Sequence, residues 1–257
     1  MPKIINVHAQ NGDNVIILGQ SLNDTLSAGD GRQMLYGNAG NDMIIGGAGA
    51  QTLDGGSGND YVEAGLGDQF LRGGSGKDIL DFSHLSGALD IDPDLYVATL
   101  VSGGNGALDQ HYKLSGFETI TTTQQNDVIH ASANTPRTYN ELGGNDHYFS
   151  ESGGDTVIGG GGNDVYTWMK KYVEVGHADV IKDFQIHSDH LDLSDFLKGQ
   201  SIKHPQYADV VRLVAHDAVQ GEEQTMVQTL VHGAWHDTVL LDHVATNTVM
   251  LHDLLLA

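Results

Sequence analysis

The chain has 257 residues, 34 acidic against 12 basic side chains for a formal net charge of -22, 34 glycines and no cysteine. The lack of cysteine excludes a disulfide framework and a thiolate zinc site, and the scarcity of Lys and Arg excludes nucleic acid as a partner, because phosphate contacts need clustered cations. So large a negative charge opposes the compact state through self-repulsion unless counter-ions neutralise it. The start, MPKIINVHAQNGD, has no basic region followed by an apolar core, and no apolar run approaches the ~18 residues of a membrane span. Taken alone, these two features predict a cytosolic protein.

In chain order, a degenerate repeat at 10–18 (QNGDNVIIL) leads into a nine-residue repeat that runs from Gly19 to Asp81 in two alternating kinds. GNAGNDMII (37–45), GGSGNDYVE (55–63) and GGSGKDILD (73–81) carry aspartate at the sixth position. AGDGRQMLY (28–36), GGAGAQTLD (46–54) and AGLGDQFLR (64–72) carry glutamine there. Asp24, Asp42, Asp60 and Asp78 therefore recur every 18 residues, with Gln33, Gln51 and Gln69 between them. Such a pattern predicts a coil with two short strands per turn, carboxylates along one edge and amides along the other. The first six residues of each repeat are turn formers, and the last three hold one inward apolar residue: Leu26, Leu35, Ile44, Leu53, Val62, Leu71 and Leu80. Stacked at roughly 4.8 Å per turn these make two inner rows, a core too thin to hold by hydrophobic burial alone.

Residues 82–121 lose the repeat and read as alternating strands. A second, less regular array spans 122–167, with TTQQNDVIH, ELGGNDHYF, SESGGDTVI and GGGGNDVYT as its clear members. Between the first two lies ASANTPRTY (131–139), where Pro136 takes the aspartate slot, followed by one inserted residue, Asn140. From 168 to 257 the pattern is half-buried β structure with turns, ending in the apolar MLHDLLLA. The predicted blocks are a first array (1–81), a spacer (82–121), a second array (122–167) and a C-terminal β-rich domain (168–257).

The turns carry the chemistry. Their glycines allow backbone conformations with φ > 0, so that peptide carbonyls point at a shared centre. Adding one carboxylate from each of two stacked turns gives an all-oxygen cage of about six ligands, which suits calcium and not zinc or copper. The competing reading is that these aspartates cap turns, as Asp often does. The candidate ligands are Asp24, Asp42, Asp60, Asp78, Asp127, Asp146 and Asp164, stacked as 24/42, 42/60, 60/78, 127/146 and 146/164. With them go Gly37, Ala39 and Asn41, Gly55, Ser57 and Asn59, Gly73 and Ser75, and Gly159 and Gly161. Asp155 is also a candidate, on the opposite edge of the second array, where Pro136 leaves it no aspartate below. About five to seven ions are expected from this ligand geometry. A neutral amide cannot offset a divalent cation, so the Gln33, Gln51 and Gln69 edge is expected to hydrogen-bond along its own ladder instead.

Enzyme signatures are missing from the sequence. RGGSGKD (72–78) departs from a phosphate loop at Leu71 and Asp78, and there is no HExxH and no GxSxG. DIDPD (90–94) has calcium-loop spacing without the following glycine, and nine of the fourteen histidines lie beyond residue 176, His232, His236 and His243 among them, where exposed polar positions are the expected role.

GGSGNDYVE, GGSGKDILD and GGGGNDVYT resemble the nonapeptides of repeats-in-toxin (RTX, hemolysin-type) proteins. KLSGFETI (113–120) followed by NDVIHAS is similar to the spacer between such arrays, and ADVIKDFQIHSDHLDLSDFL (178–197) with the strand pair VQTLVHGAWHDTVLLDHV (227–244) resembles the C-terminal target domain of type I secretion substrates. The resemblance implies an all-β fold: a right-handed parallel β-roll in two arrays with a C-terminal capping and secretion domain. It further implies export by the type I secretion machinery with an uncleaved C-terminal signal, which reverses the cytosolic expectation and makes the protein extracellular or cell-surface. Calcium at roughly 10⁻⁴–10⁻³ M, the range of extracellular modules, would then trigger folding outside the cell. The expected function is a non-enzymatic calcium-binding module at the C-terminal end of a large RTX adhesin, with surface glycans along the amide edge as a further partner. The alternative is the non-catalytic tail of an RTX protease, lipase or alginate epimerase that aids polysaccharide binding. The repeats begin so near the start that the chain reads as a fragment.

Overall fold

The computed structural model describes residues 6–8, 14–101, 109–133, 135–151, 153–173, 177–198, 207–216, 223–247 and 250–255. The chain divides into two compact units, 1–125 and 126–257.

The first unit contains β1 (Asn6–His8), β2 (Ile16–Leu18), β3 (Thr25–Ser27), β4 (Met34–Ala39), β5 (Met43–Ile45), β6 (Gln51–Ser57), β7 (Tyr61–Glu63), β8 (Gln69–Ser75), β9 (Ile79–Asp81), β10 (Ala88–Asp92), β11 (Val97–Val101), β12 (Gln110–Ser115) and β13 (Thr119–Thr121). One parallel sheet runs β1-β3-β5-β7-β9-β13, and the other runs β2-β4-β6-β8-β12 and then folds antiparallel through β11 to β10. Each turn of chain gives one strand to each sheet, as the 18-residue alternation predicts. Leu26, Ile44, Val62 and Leu80 stack in register in one sheet and Leu35, Leu53 and Leu71 in the other, all at 0–1% exposure. The core is one side chain deep per strand.

Three features differ from the sequence reading. β4, β6 and β8 run six or seven residues, not three, because the chain stays paired into the next repeat, with Asn38 opposite Gly56 and Ala39 opposite Ser57. β1 already pairs with β3, so the coil begins before residue 10. And β12 and β13 rejoin the coil, placing Leu114 on Leu71 and Ile120 on Leu80. β10 and β11 are a hairpin excursion from that turn. Leu89, Ile91 and Ala98 bury its inner face, and Tyr112 meets Phe82 edge to face at 5.1 Å.

The second unit contains β14 (Val128–His130), β15 (Thr138–Asn140), β16 (His147–Ser150), β17 (Thr156–Ile158), β18 (Val165–Trp168), β19 (Asp179–Ile181), β20 (His190–Asp192), β21 (Val211–His216), β22 (Gln224–Val231) and β23 (Ala234–Leu241). Its sheets run β14-β16-β18-β20 and β15-β17-β19-β23-β22-β21. The parallel ladder therefore continues through β19 and β20, and β23 is added parallel to β19. β22 and β23 form a hairpin whose two turn residues, His232 and Gly233, have φ of 47° and 83°. Two positive φ values suit the right-handed twist of the flanking strands. Aromatic residues replace the aliphatic rows here: Tyr148 and Tyr166 stack in register between Ile129 and Leu191, beside buried Tyr139 and Trp168.

Leu53 is completely buried in the inner row. Leu53→Ala should cost about 2–5 kcal/mol by transfer and cavity formation, to be read from urea unfolding in millimolar calcium.

Candidate metal centre

The carboxylate edge is built by one interaction repeated turn after turn. The Asp24 backbone N–H donates to Asp42 Oδ1 at 2.7 Å, Asp42 N–H to Asp60 Oδ1 at 2.8 Å and Asp60 N–H to Asp78 Oδ1 at 2.8 Å. In the second unit Asp127 N–H donates to Asp146 Oδ1 at 2.7 Å and Asp146 N–H to Asp164 Oδ1 at 3.0 Å. One oxygen of each carboxylate is thus spent on the turn below. The other has no hydrogen-bond partner: Oδ2 of Asp42, Asp60, Asp78, Asp146 and Asp164 is buried and unsatisfied.

The glycine that opens the carboxylate-edge repeats at 37, 55, 73 and 159 makes room for that oxygen. A methyl group on Gly37 would collide with Asp42 Oδ2 and the Gly55 carbonyl oxygen, and one on Gly55 with Asp60 Oδ2 and the Gly73 carbonyl oxygen. Carboxylate and carbonyl oxygens therefore crowd the same side of the turn. Among the described residues no three His, Asp or Glu side chains gather into a metal cluster, so a cation held here must draw on carbonyls as well. Buried anionic oxygen without a proton donor, beside peptide carbonyls, fits a hard oxygen-seeking cation. Asn41 and Asn59 act differently at the surface: their Oδ1 atoms accept from the backbone N–H of Asn59 and Lys77 on the next turn, both at 2.9 Å. Ser57 and Ser75 carbonyls accept from Gly40 and Gly58 N–H at 2.9 Å.

The amide edge is closed without an ion. Gln51 Oε1 accepts from Gly47 N–H at 2.9 Å and its Nε2 donates to the Gly29 carbonyl at 2.6 Å. Gln69 repeats this with Gly65 and Gly47, and also donates to Gln51 Oε1 at 3.0 Å. Gln33 Oε1 accepts from Gly29 N–H at 2.7 Å. The amide N–H groups reach inward carbonyls that a cation would otherwise satisfy.

Several partners were not among the expected residues. Glu118 Oε2 accepts from Asp78 N–H at 2.8 Å and ends the first ladder; Glu118 sits two residues before the inward Ile120, in the aspartate slot of KLSGFETI, which was the readable signal. Asp189 Oδ1 accepts from Asp164 N–H at 3.2 Å, and Asp183 takes the N–H groups of Gly159 and Gly160, both at 2.9 Å. No repeat spacing marks these two. Asp155 differs from the other aspartates: Oδ1 accepts from Arg137 N–H and Oδ2 from the Tyr148 hydroxyl, so both oxygens are already hydrogen-bonded. Asp24 Oδ2 accepts from Gln20 N–H at 2.6 Å. Gly161 bridges to Gly143 on the turn below.

Burial, with neighbouring carboxylates, pushes Asp60 and Asp164 up to about 6 and Asp146 up to about 7. Asp42 and Asp78 are raised for the same reasons. Asp179, wholly buried, is also raised to about 7, although Ser150, Trp168 and Asp155 N–H donate to it.

Two family descriptions match the chain. RTX calcium-binding nonapeptide repeat (4 copies) matches residues 18–53 and 45–80, and Peptidase M10 serralysin C terminal matches residues 145–246. No curated protein sequence matches the chain. Among solved structures the extracellular lipase LipA from Serratia marcescens aligns at 16% identity and a TM-score of 0.28, over 98% of this chain and 42% of that one. The chain thus spans less than half the length of that structure. Residues 18–80 thus match RTX nonapeptide repeats and residues 145–246 a serralysin-type C-terminal domain, an order consistent with the C-terminal region of an RTX protein. The chain's repeats bind calcium, and it is secreted through the type I pathway.

With calcium chelated, raised carboxyl groups make the folded chain bind more protons than the unfolded chain between about pH 4 and the values above. Stability in EDTA must then fall as pH rises through that window. Residual β structure in EDTA, read by far-UV circular dichroism, should therefore be greater near pH 5 than near pH 8, and in calcium urea midpoints should run the other way, because protons compete with the cation. Gln51→Ala strips two backbone groups of their partners and should cost about 1–3 kcal/mol without changing calcium stoichiometry, checked by urea unfolding and calorimetric titration on the same samples.

Proposed function

We propose that the chain is a non-enzymatic calcium-folding module that carries the export signal at the C-terminal end of a large RTX adhesin. The row of buried Oδ2 atoms at Asp42, Asp60, Asp78, Asp146 and Asp164 supports the reading most directly. These oxygens, with carbonyls of Gly37, Ala39, Asn41, Gly55, Ser57, Asn59, Gly73, Ser75, Gly159 and Gly161, would hold the ions. Asp24 and Asp127 complete the lowest turns through their N–H bonds to Asp42 and Asp146. Asp155 is left out because hydrogen bonds already engage both its oxygens. The Gln33, Gln51 and Gln69 edge stays free of metal. In this division residues 1–81 and 122–167 bind calcium, 82–121 connect them, and 168–257 carry the secretion signal.

Inside the cell, where calcium is scarce, uncompensated carboxylates and a thin core keep the chain open for export. Outside, calcium binding becomes folding free energy. The match of residues 145–246 to the serralysin C-terminal description favours a second reading, the non-catalytic tail of a secreted RTX enzyme. The sequence encoded upstream decides between the two.

Far-UV circular dichroism should report little β structure in EDTA and a cooperative gain with millimolar calcium; a spectrum indifferent to calcium would sink the mechanism. Asp60→Ala, which removes an oxygen with no other partner, should raise the calcium midpoint more than Asp24→Ala, whose Oδ2 is already hydrogen-bonded.

A further inference from the structure

On the carboxylate edge the first residue of the repeat is glycine at 37, 55, 73 and 159, but glutamate at 141. The backbone there follows the glycine repeats. Glu141 N–H donates to the Ile158 carbonyl at 2.8 Å, as Gly19 N–H does to Tyr36 at 2.7 Å. The next residue, Leu142, has φ of 61°, in the positive region that Gly56, Gly74 and Gly160 occupy at the same repeat position. A side chain at this position therefore leaves the backbone on the side where Gly37 and Gly55 face the Oδ2 atom of their own aspartate.

The surroundings of Glu141 agree. It has 0% exposure. Burial first, then the charges of Asp146, Asp164, Asp127 and Asp183, hold its carboxyl well above the usual range. Oδ2 of Asp146, Oδ2 of Asp164 and the Tyr166 hydroxyl are buried in the same unit without hydrogen-bond partners, and all three residues are at most 2% exposed. A methyl group on Gly159, one turn above Glu141, would collide with the Tyr166 hydroxyl and come within 2.8 Å of Asp164 Oδ2, so both atoms are aimed at this turn.

We propose that Glu141 is a calcium ligand, its carboxylate joining Oδ2 of Asp146 and Asp164 in a site with one more negative charge than the glycine turns of the first unit have. Without the ion the three carboxylates do not gather into a cluster, so the proposal requires the long Glu141 side chain to close on those oxygens as calcium binds. Affinity of hard-cation sites rises with ligand charge, so this turn binds calcium more tightly than the 42/60 and 60/78 turns. The proposal rests on the reading that the carboxylate edge takes calcium.

The test is calorimetric calcium titration of the whole chain beside Glu141→Gln and Glu141→Gly, with terbium emission excited through tyrosine as a second readout for the neighbourhood of Tyr166. The intact chain should show a class of tighter ions. Both variants should weaken that class by roughly tenfold or more, because ligand charge count tunes calcium affinity, and leave the remaining ions unchanged. Terbium emission at low occupancy should drop in both. Glu141→Gly restores the residue of the other turns, so it decides the matter if Glu141→Gln fails to fold at saturating calcium. Unchanged or tighter binding in the glycine variant overturns the proposal and makes Glu141 a buried neutral acid. An intact chain that binds no calcium overturns the broader reading as well, which separates the two failures.

Discussion

Everything in the repeat region depends on the bond from an aspartate N–H to the carboxylate of the aspartate one turn on. That bond fixes the spacing between turns, because it can form only when the coil advances by one strand separation per 18 residues. It also uses one oxygen of each carboxylate and leaves the other facing the crowded inner side of the turn. Structure and ion affinity come from the same side chain. A chain built this way leaves buried carboxylate oxygens without donors when it folds alone.

The two edges solve one geometric problem with different chemistry. Each turn presents inward carbonyls that need a positive partner. On one edge the proposed calcium ions would supply it, and on the other the amide N–H groups of Gln51 and Gln69 do. The amide edge contributes no charge, which limits self-repulsion in a chain of net charge -22. In the folded coil it also closes one side of the Gln33, Gln51 and Gln69 turns without an ion.

Much of this was legible in the sequence because the repeat is a direct image of the coil. The inner rows from Leu26 to Leu80, the alternation of strands between two sheets, and the separation of Asp24–Asp78 from Gln33–Gln69 follow from counting in nines. What escaped was whatever breaks the count. The hairpin of β10 and β11 interrupts a turn that β12 and β13 later complete, so Glu118 lies too far along the chain to look like the partner of Asp78. Asp183 and Asp189 enter from irregular turns whose spacing differs from 18. Glu141 stands where other repeats of this edge have glycine, and counting what recurs every nine residues does not single it out. The extended pairing of β4, β6 and β8 was hidden because glycine and asparagine, poor strand formers, remain paired there by their neighbours.

The alternation of edges has a consequence for how such a chain can change in length. Removal of one nonapeptide would keep the strand period but carry every later glutamine to the carboxylate side and every later aspartate to the amide side. Each N–H to Oδ1 bond across the junction would be lost, and so would each amide to carbonyl bond. Removal of two nonapeptides restores both ladders. The unit that can be removed from the regular coil without exchanging its edges is therefore 18 residues, whereas extra residues looped out within a turn, as at Asn140 and at the β10–β11 hairpin, leave the ladder intact.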